Sequence, residues 1–275
     1  MSAAPTAAKQ INRLDATFAA LKRGRRKALV AYLTAGFPSP AQTVPLLRSL
    51  AETGADVIEL GIPFSDPMAD GPVIQRASEA ALAAGTTTAT VLAAVAEFRL
   101  ADAATPVVLM SYLNPIEAMG YERFAQAAVA AGADGVLVVD LPPEEAGELR
   151  AALSGAGLRE IFLIAPTTTA DRLGLIGKCA SGFGYYVSIK GITGRGTVDI
   201  GEVAKHVAVL RRHLDLPIGV GFAIRDAATA RAIASIADAV VVGSAVVELA
   251  ERISDSSNPL VPFMREIRAA IDAQA

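Results

Sequence analysis

The chain has 275 residues, 52% of them hydrophobic and 19% charged, with 25 Lys and Arg against 28 Asp and Glu for a net charge of −3. That balance supports a large core and excludes disorder. It also leaves no basic patch for nucleic acid and no run of about 18 apolar residues for a membrane span. A single cysteine, Cys179, rules out an intrachain disulfide and fits a reducing, cytoplasmic setting. With only His206 and His213 and no Cys/His cluster, a zinc site is not expected.

Taken in order, residues 1–9 lack the apolar segment of a secretory signal. Residues 9–23 read as an amphipathic helix through Ile11, Leu14, Phe18 and Leu21. An apolar run at 28–35 is the first strand, and a helix follows from Ser39 to Gly54. The second strand, 56–61, runs into Ile62-Pro63-Phe64-Ser65-Asp66-Pro67-Met68-Ala69-Asp70-Gly71-Pro72. Asp70 is the expected cap of the next helix, with Pro72 in its first turn. That helix ends near Gly85, and another covers 86–104. Further strands are expected at 106–112, 135–140, 160–166, 184–189, 217–222 and 238–243. The helices between them are expected at 121–132, 142–157, 169–180, 199–214 and 226–236, with a last helical region at 244–274 broken near Asn258-Pro259.

Eight apolar runs alternating with helices suit parallel strands covered on both faces. They predict an α/β fold, a single-domain (β/α)8 barrel over 1–275, with an open doubly wound sheet as the other arrangement. Ala-Asp precedes a strand at 55–56, 133–134 and 237–238. The last two copies lie 104 residues apart, four units of 26, whereas the first two lie 78 apart and carry one surplus unit. The surplus falls within 70–104 and predicts an extra helix after strand 2.

Active sites of such barrels lie at the C-terminal ends of the strands. Alternation puts Val57, Glu59 and Gly61 on one face and Ile58 and Leu60 on the other. If Ile58 and Leu60 pack on helices, Glu59 faces the barrel interior. No basic residue in this loop pairs with it, so burial should raise its pKa and suit it to proton transfer near neutrality. A phosphate site is expected from small residues at three successive strand ends. These are Gly191-Ile192-Thr193-Gly194, Gly221-Phe222-Ala223 and Gly243-Ser244-Ala245, the last leading into a helix N-terminus. No Walker A pattern, dinucleotide spacing or Ser/His/Asp arrangement is present. Cys179 reads as a packing residue, and the two histidines as surface residues of one helix.

The segment Glu59-Leu60-Gly61-Ile62-Pro63-Phe64-Ser65-Asp66-Pro67-Met68-Ala69-Asp70-Gly71-Pro72 closely resembles the signature of the tryptophan synthase α subunit family, with Met68 where Leu is usual. Tyr112-Leu113-Asn114-Pro115, Asp140-Leu141-Pro142, Gly191-Ile192-Thr193-Gly194 and Gly243-Ser244-Ala245 resemble the family's other strand ends, so the likeness runs from about residue 12 to 270. The resemblance implies retro-aldol cleavage of indole-3-glycerol phosphate to indole and glyceraldehyde 3-phosphate. The indole would pass to a pyridoxal-phosphate-dependent β subunit in an α2β2 complex, with no cofactor or metal in this chain. It implies Glu59 as general acid/base, Asp70 as acceptor for the indole N–H and Tyr185 beside the glutamate. Tyr112, Leu137 and Phe222 would line the indole site, Gly194, Ala223, Gly243 and Ser244 would bind phosphate, and Asp66 would touch the β subunit. Ala223 stands where the family usually has Gly, and Ile189-Lys190 where familiar members have Arg-Ser. Two other readings stay open: a non-catalytic phosphate-binding activator of a β subunit, and a free-standing lyase that releases indole.

Overall fold

The computed structural model describes residues 11–187, 199–221, 224–254 and 256–274. Helix α1 (Arg13–Arg23) precedes β1 (Ala28–Thr34), α2 (Thr43–Glu52) and β2 (Val57–Gly61). Two helices, α3 (Pro72–Ala83) and α4 (Thr88–Arg99), then lead to β3 (Val107–Ser111). Next come α5 (Leu113–Met119), α6 (Tyr121–Ala131), β4 (Gly135–Val138), α7 (Gly147–Gly155) and the short strands β5 (Arg159–Ile161) and β6 (Leu163–Ile164). The chain continues through α8 (Ala170–Cys179), β7 (Gly184–Val187), α9 (Ile200–Leu210), β8 (Ile218–Gly221) and α10 (Ala227–Ala234). It ends with β9 (Ala239–Val242), α11 (Ser244–Ala250) and α12 (Leu260–Asp272).

All the strands are parallel, in the order β5-β4-β3-β2-β1-β9-β8-β7-β6. The two ends of that order are halves of one strand, separated only by Phe162. β5 pairs back to β4, and β6 pairs forward to β7. The expected eight-stranded ring therefore closes through an interrupted fifth strand.

Alternation sorts the side chains into two apolar compartments. Ile58 and Leu60 join Val95, Phe98, Phe124 and Ile267 in the layer between barrel and helices. Val30, Val57, Val108, Leu137, Ile161 and Val241 fill the inside. The lower end of that interior is stoppered by Leu14, Phe18 and Leu21 of α1. Asn12 holds this plug in place. Its side-chain oxygen caps α1 by accepting the Leu14 N–H at 2.9 Å, and its amide donates to the carbonyls of Asp134 and Gly157 at 2.8 and 3.0 Å.

The Ala-Asp repeat has a structural cause at this lower rim. Each Asp backbone N–H donates to the carbonyl of a residue at or next to the start of the preceding strand: Asp56 to Leu29, Asp134 to Val107 and Asp238 to Ile218, each at 2.8 Å. Each carboxylate accepts the N–H of that same residue, at 2.8, 2.9 and 3.0 Å respectively. The side chain thus extends the ladder by one rung where the backbone has run out. An arginine neutralises each one: Arg268 at Asp56 (2.7 Å), Arg99 at Asp134 (2.9 Å) and Arg211 at Asp238 (2.8 Å).

Of the two helices after β2, α4 lies in the outer ring between α2 and α6, so α3 is the extra one. It packs on β1 and α11, across the upper end of the barrel. Several local expectations need correction. Asp70 does not cap α3; Gly71 occupies the N-cap with no side-chain bond, and Pro72 is the first helical residue. Helix α7 starts at Gly147 rather than 142, because Pro142 and Glu145 close a turn first (3.0 Å). Helix α5 was not expected; Pro115 sits in its first turn, where its missing N–H costs nothing. His213 lies past the end of α9, so the two histidines do not share a helix.

Candidate active site

The upper interior differs from the lower. Here the inward residues of β1, β2 and β7 are Tyr32, Glu59 and Tyr185, with Glu59 registered between Tyr32 on one side and Val108 on the other. Glu59 is only 1% exposed, and neither carboxylate oxygen has a hydrogen-bond partner among the described residues. Burial, and then the charge of Asp70, push its pKa up from 4.5 to about 8. Near neutral pH this burial favours the protonated form.

Two glycines make room for the tyrosines beside it. A Cβ on Gly61 would collide with the Tyr32 hydroxyl, and one on Gly221 with the Tyr185 ring. Read from the sequence, these glycines end strands; in the fold they are cut-outs for aromatic rings. Tyr185 is partly buried, and its phenol is pushed well above its usual range by burial first, then by Glu59, Tyr32 and Asp70.

Asp70 reaches the same site from the loop. The backbone turns at Pro67, whose carbonyl accepts the Asp70 N–H at 3.0 Å. Gln75 of α3 donates to the Asp70 carbonyl at 2.8 Å. Tyr112 then locks the arrangement. Its hydroxyl donates to the Asp70 carboxylate at 3.2 Å and accepts the Ala69 N–H at 3.0 Å, while its ring stacks on Phe64, with centroids 5.1 Å apart. Burial raises the Asp70 pKa to about 6, and the Tyr112 bond opposes that rise. Release of the Asp70 side chain from capping duty leaves its carboxylate free to face the cleft formed with Tyr32, Gly61, Phe64, Met110 and Tyr112.

The other expected site residues are distributed as follows. Leu137 is fully buried inside the barrel, in register with Met110. Gly243 and Ser244 form the turn from β9 into α11, with Gly243 at the N-cap. A Cβ on Gly243 would meet Tyr32 only at 3.7 Å, so packing does not demand a glycine there. Asp66 is exposed at the loop tip, accepting from Ser65 Oγ at 2.5 Å, and Met68 beside it is 85% exposed. Gly194, Phe222 and Ala223, with the rest of 188–198, lie outside the described residues. Cys179 is half-buried and takes a bond from the Arg150 guanidinium. Among the described residues no group of three or more His, Cys, Asp and Glu could hold a metal ion, and no single helix is long and apolar enough to cross a membrane.

Tyr32 and Thr34 were not among the residues expected at the site. The signal was present: alternation in 28–34 sets Ala28, Val30, Tyr32 and Thr34 on one face. A phenol and a hydroxyl near the C-terminal end of an otherwise apolar strand mark the reactive end of a barrel.

Known proteins carry the same framework. Residues 18–270 match the family model described as tryptophan synthase alpha chain. The tryptophan synthase alpha chain of Laribacter hongkongensis is 58% identical over 264 residues, spanning 96% of this chain and 100% of that protein. The alpha chain of Burkholderia pseudomallei is 55% identical over 267 residues, spanning 96% of this chain and 98% of that one. Among solved structures, the alpha subunit from Legionella pneumophila superposes with a TM-score of 0.90 at 45% identity, covering 96% of this chain and 99% of its own. A tryptophan synthase chain from M. tuberculosis, in an aminoacrylate-bound form, does so with a TM-score of 0.85 at 36% identity, covering 94% and 99%. With the barrel and the residues 59–72 segment already in place, these matches decide the assignment: the chain belongs to the tryptophan synthase alpha chain family.

Proposed function

We propose that Glu59 and Asp70 carry the lyase reaction of this family, the cleavage of indole-3-glycerol phosphate to indole and glyceraldehyde 3-phosphate. The observation that supports this most directly is the division of charge between the two acids. Glu59 is buried without a partner and holds its proton at neutral pH, while Asp70 has a phenolic donor and loses its proton first. A neutral acid facing an ionised one suits a reaction that protonates a ring and creates a cation.

Glu59 donates its proton to indole C3, and the ring becomes an indoleninium. Asp70 accepts a hydrogen bond from the ring N–H, and its negative charge stabilises the cation. The Glu59 carboxylate then takes the proton of the glycerol hydroxyl next to the bond. The C–C bond breaks, its electrons return to the ring, and the aldehyde leaves. Glu59 ends as it began, protonated. Tyr185 borders the glutamate, while Tyr112 orders the Asp70 loop and, with Leu137 and Phe222, borders the ring. Gly243 and Ser244, with Gly194 and Ala223, hold the phosphate through backbone N–H groups. The spare room at Gly243 fits that role, since a glycine unneeded for packing leaves its N–H open to close approach.

The reading extends to a β subunit that takes up the indole and holds the pyridoxal phosphate, in an α2β2 assembly in the cytoplasm. Exposed Met68 beside Asp66 supports a docking role for this loop, because an apolar side chain at a loop tip gains by being covered. The test is indole release from indole-3-glycerol phosphate by the purified chain, with and without a β subunit. Indole should form in both cases and fall on the order of 10²–10⁴-fold in Glu59→Gln, with binding of glycerol 3-phosphate retained. Undiminished turnover in that variant would falsify the assignment of Glu59.

A further inference from the structure

We propose that Tyr32 is a positioning residue for the proton transfer: its hydroxyl, held by Thr34 in the resting protein, is the donor that the Glu59 carboxylate takes up as it ionises. The inference rests on Glu59 being the proton donor, and it adds a residue to that step.

Four observations carry it. Tyr32 stands directly opposite Glu59 in the β1–β2 ladder. Its hydroxyl lies 3.1 Å from Thr34 Oγ1, two residues further along the same inward face, and either oxygen can donate. Both groups are buried, and neither has another hydrogen-bond partner among the described residues. Gly61, the next inward residue after Glu59, lacks the side chain that would displace the Tyr32 hydroxyl.

An unpartnered protonated Glu59 carries a modest cost, but the carboxylate formed on proton donation cannot stay unpaired among Val57, Val108 and ring carbons without a much larger penalty. The ionisable groups facing Glu59 are Tyr32 from β1, Asp70 from the loop and Tyr185 from β7; Tyr112 is engaged with Asp70. Asp70 is an anion and repels the new charge. Tyr32 has a seat for its hydroxyl in both states. With Glu59 neutral, it can donate to Thr34. With Glu59 ionised, it can turn its O–H to the carboxylate and accept from Thr34 instead. Neither hydroxyl is left unpaired in either state: the two O–H rotors turn, and the Glu59 carboxylate, which has no partner at rest, swings to meet the Tyr32 O–H.

The test uses the full chain with three variants: Tyr32→Phe, Thr34→Val and the double substitution. Turnover by the wild type and its loss in Glu59→Gln are established first, so failure of that reading is seen separately. Tyr32→Phe should lower kcat by about tenfold, the value of one hydrogen bond to a charged group, with KM little changed. The basic limb of its kcat profile should move to higher pH, because the carboxylate has lost a donor. Thr34→Val leaves the Tyr32 hydroxyl only Glu59 to bond, so the same limb should move to lower pH. The double variant should behave as Tyr32→Phe alone. A purely structural role would move neither limb. An unchanged basic limb in Thr34→Val overturns the proposal, and so does a shift of both single variants in one direction. Unchanged kcat in Tyr32→Phe overturns it too. If Tyr32→Phe melts early or loses glycerol 3-phosphate, the Thr34→Val limb decides alone.

Discussion

Two carboxylates that share a cleft ionise in sequence, and their surroundings decide which goes first. Asp70 goes first: its net rise on burial is smaller than that of the more deeply buried Glu59, and a 3.2 Å bond from the Tyr112 hydroxyl opposes it. The pair should therefore titrate with apparent values of about 6 and about 8, and kcat/KM should peak between them, where Asp70 is ionised and Glu59 is protonated. Tyr112→Phe removes the donor that lowers the Asp70 value, so the acidic limb of kcat/KM should move to higher pH. The loss should be greater at pH 6 than at pH 8, and a profile that stays in place contradicts this role. Glu59 was legible from strand alternation, because a five-residue strand with Ile58 and Leu60 outward leaves it no other direction. Tyr112's hold on Asp70 was not legible, since it joins residues 42 apart in sequence that meet only when β2 and β3 pair.

Among elements, the lower rim carries stability and the upper rim the proposed chemistry. Asp134 accepts the Val107 N–H and pairs with Arg13 and Arg99, while its side chain is only 3% exposed. Asp134→Ala leaves two guanidinium groups with carbonyl acceptors but no carboxylate, and orphans one backbone donor. It should cost about 3–5 kcal/mol in urea unfolding, whereas Asp134→Asn should cost less. Glu160, on the outward side of β5, is buried with one oxygen unpartnered, and burial raises its pKa to about 7. The folded state thus holds this proton more tightly than the unfolded chain does. Full stability belongs to pH below the ordinary carboxylate value of 4.5 and is lost as pH rises towards 7. Glu160→Gln should stabilise the protein by about 1–3 kcal/mol at pH 8 and by almost nothing at pH 4. An equal effect at both would contradict the assignment. The repeat of Ala-Asp was visible as a period, but its cause was not. Each aspartate completes the ladder of a neighbouring strand, a relation between chain segments that composition does not encode. The break at Phe162 was hidden for a similar reason. Residues 160–166 form one apolar run, and only closure of the ring asks that run to pair on two sides.

At the scale of the whole molecule, the extra helix α3 ties the ends of the site together. Its N-terminus follows Asp70, and its body packs on β1, which carries Tyr32, and on α11, which begins at Ser244. Acid loop, tyrosine strand and expected phosphate turn are thereby built against one element. The loop that carries Asp70 inward also presents Asp66 and Met68 outward, so a β subunit docked there would press on the site itself. Asp66→Lys should weaken co-elution with a β subunit in gel filtration while leaving the melting temperature of the isolated chain unchanged. Unchanged co-elution removes Asp66 from the interface. The barrel class and the single extra helix were legible from the count of apolar runs and the surplus of 26 residues. The course of α3 over the barrel was not, because an amphipathic helix shows which face it buries but not against what.

The central claim is that Glu59 is a neutral acid at physiological pH. Infrared difference spectroscopy of the protonated carboxyl stretch, with Glu59→Gln as the reference, measures that state without a substrate. The band lost in the variant should be present at pH 7 and titrate away with a midpoint of about 8, while a second band, removed by Asp70→Asn, should titrate near 6. A Glu59 already ionised at pH 6 would contradict the account, since it would have no proton to give to the indole ring.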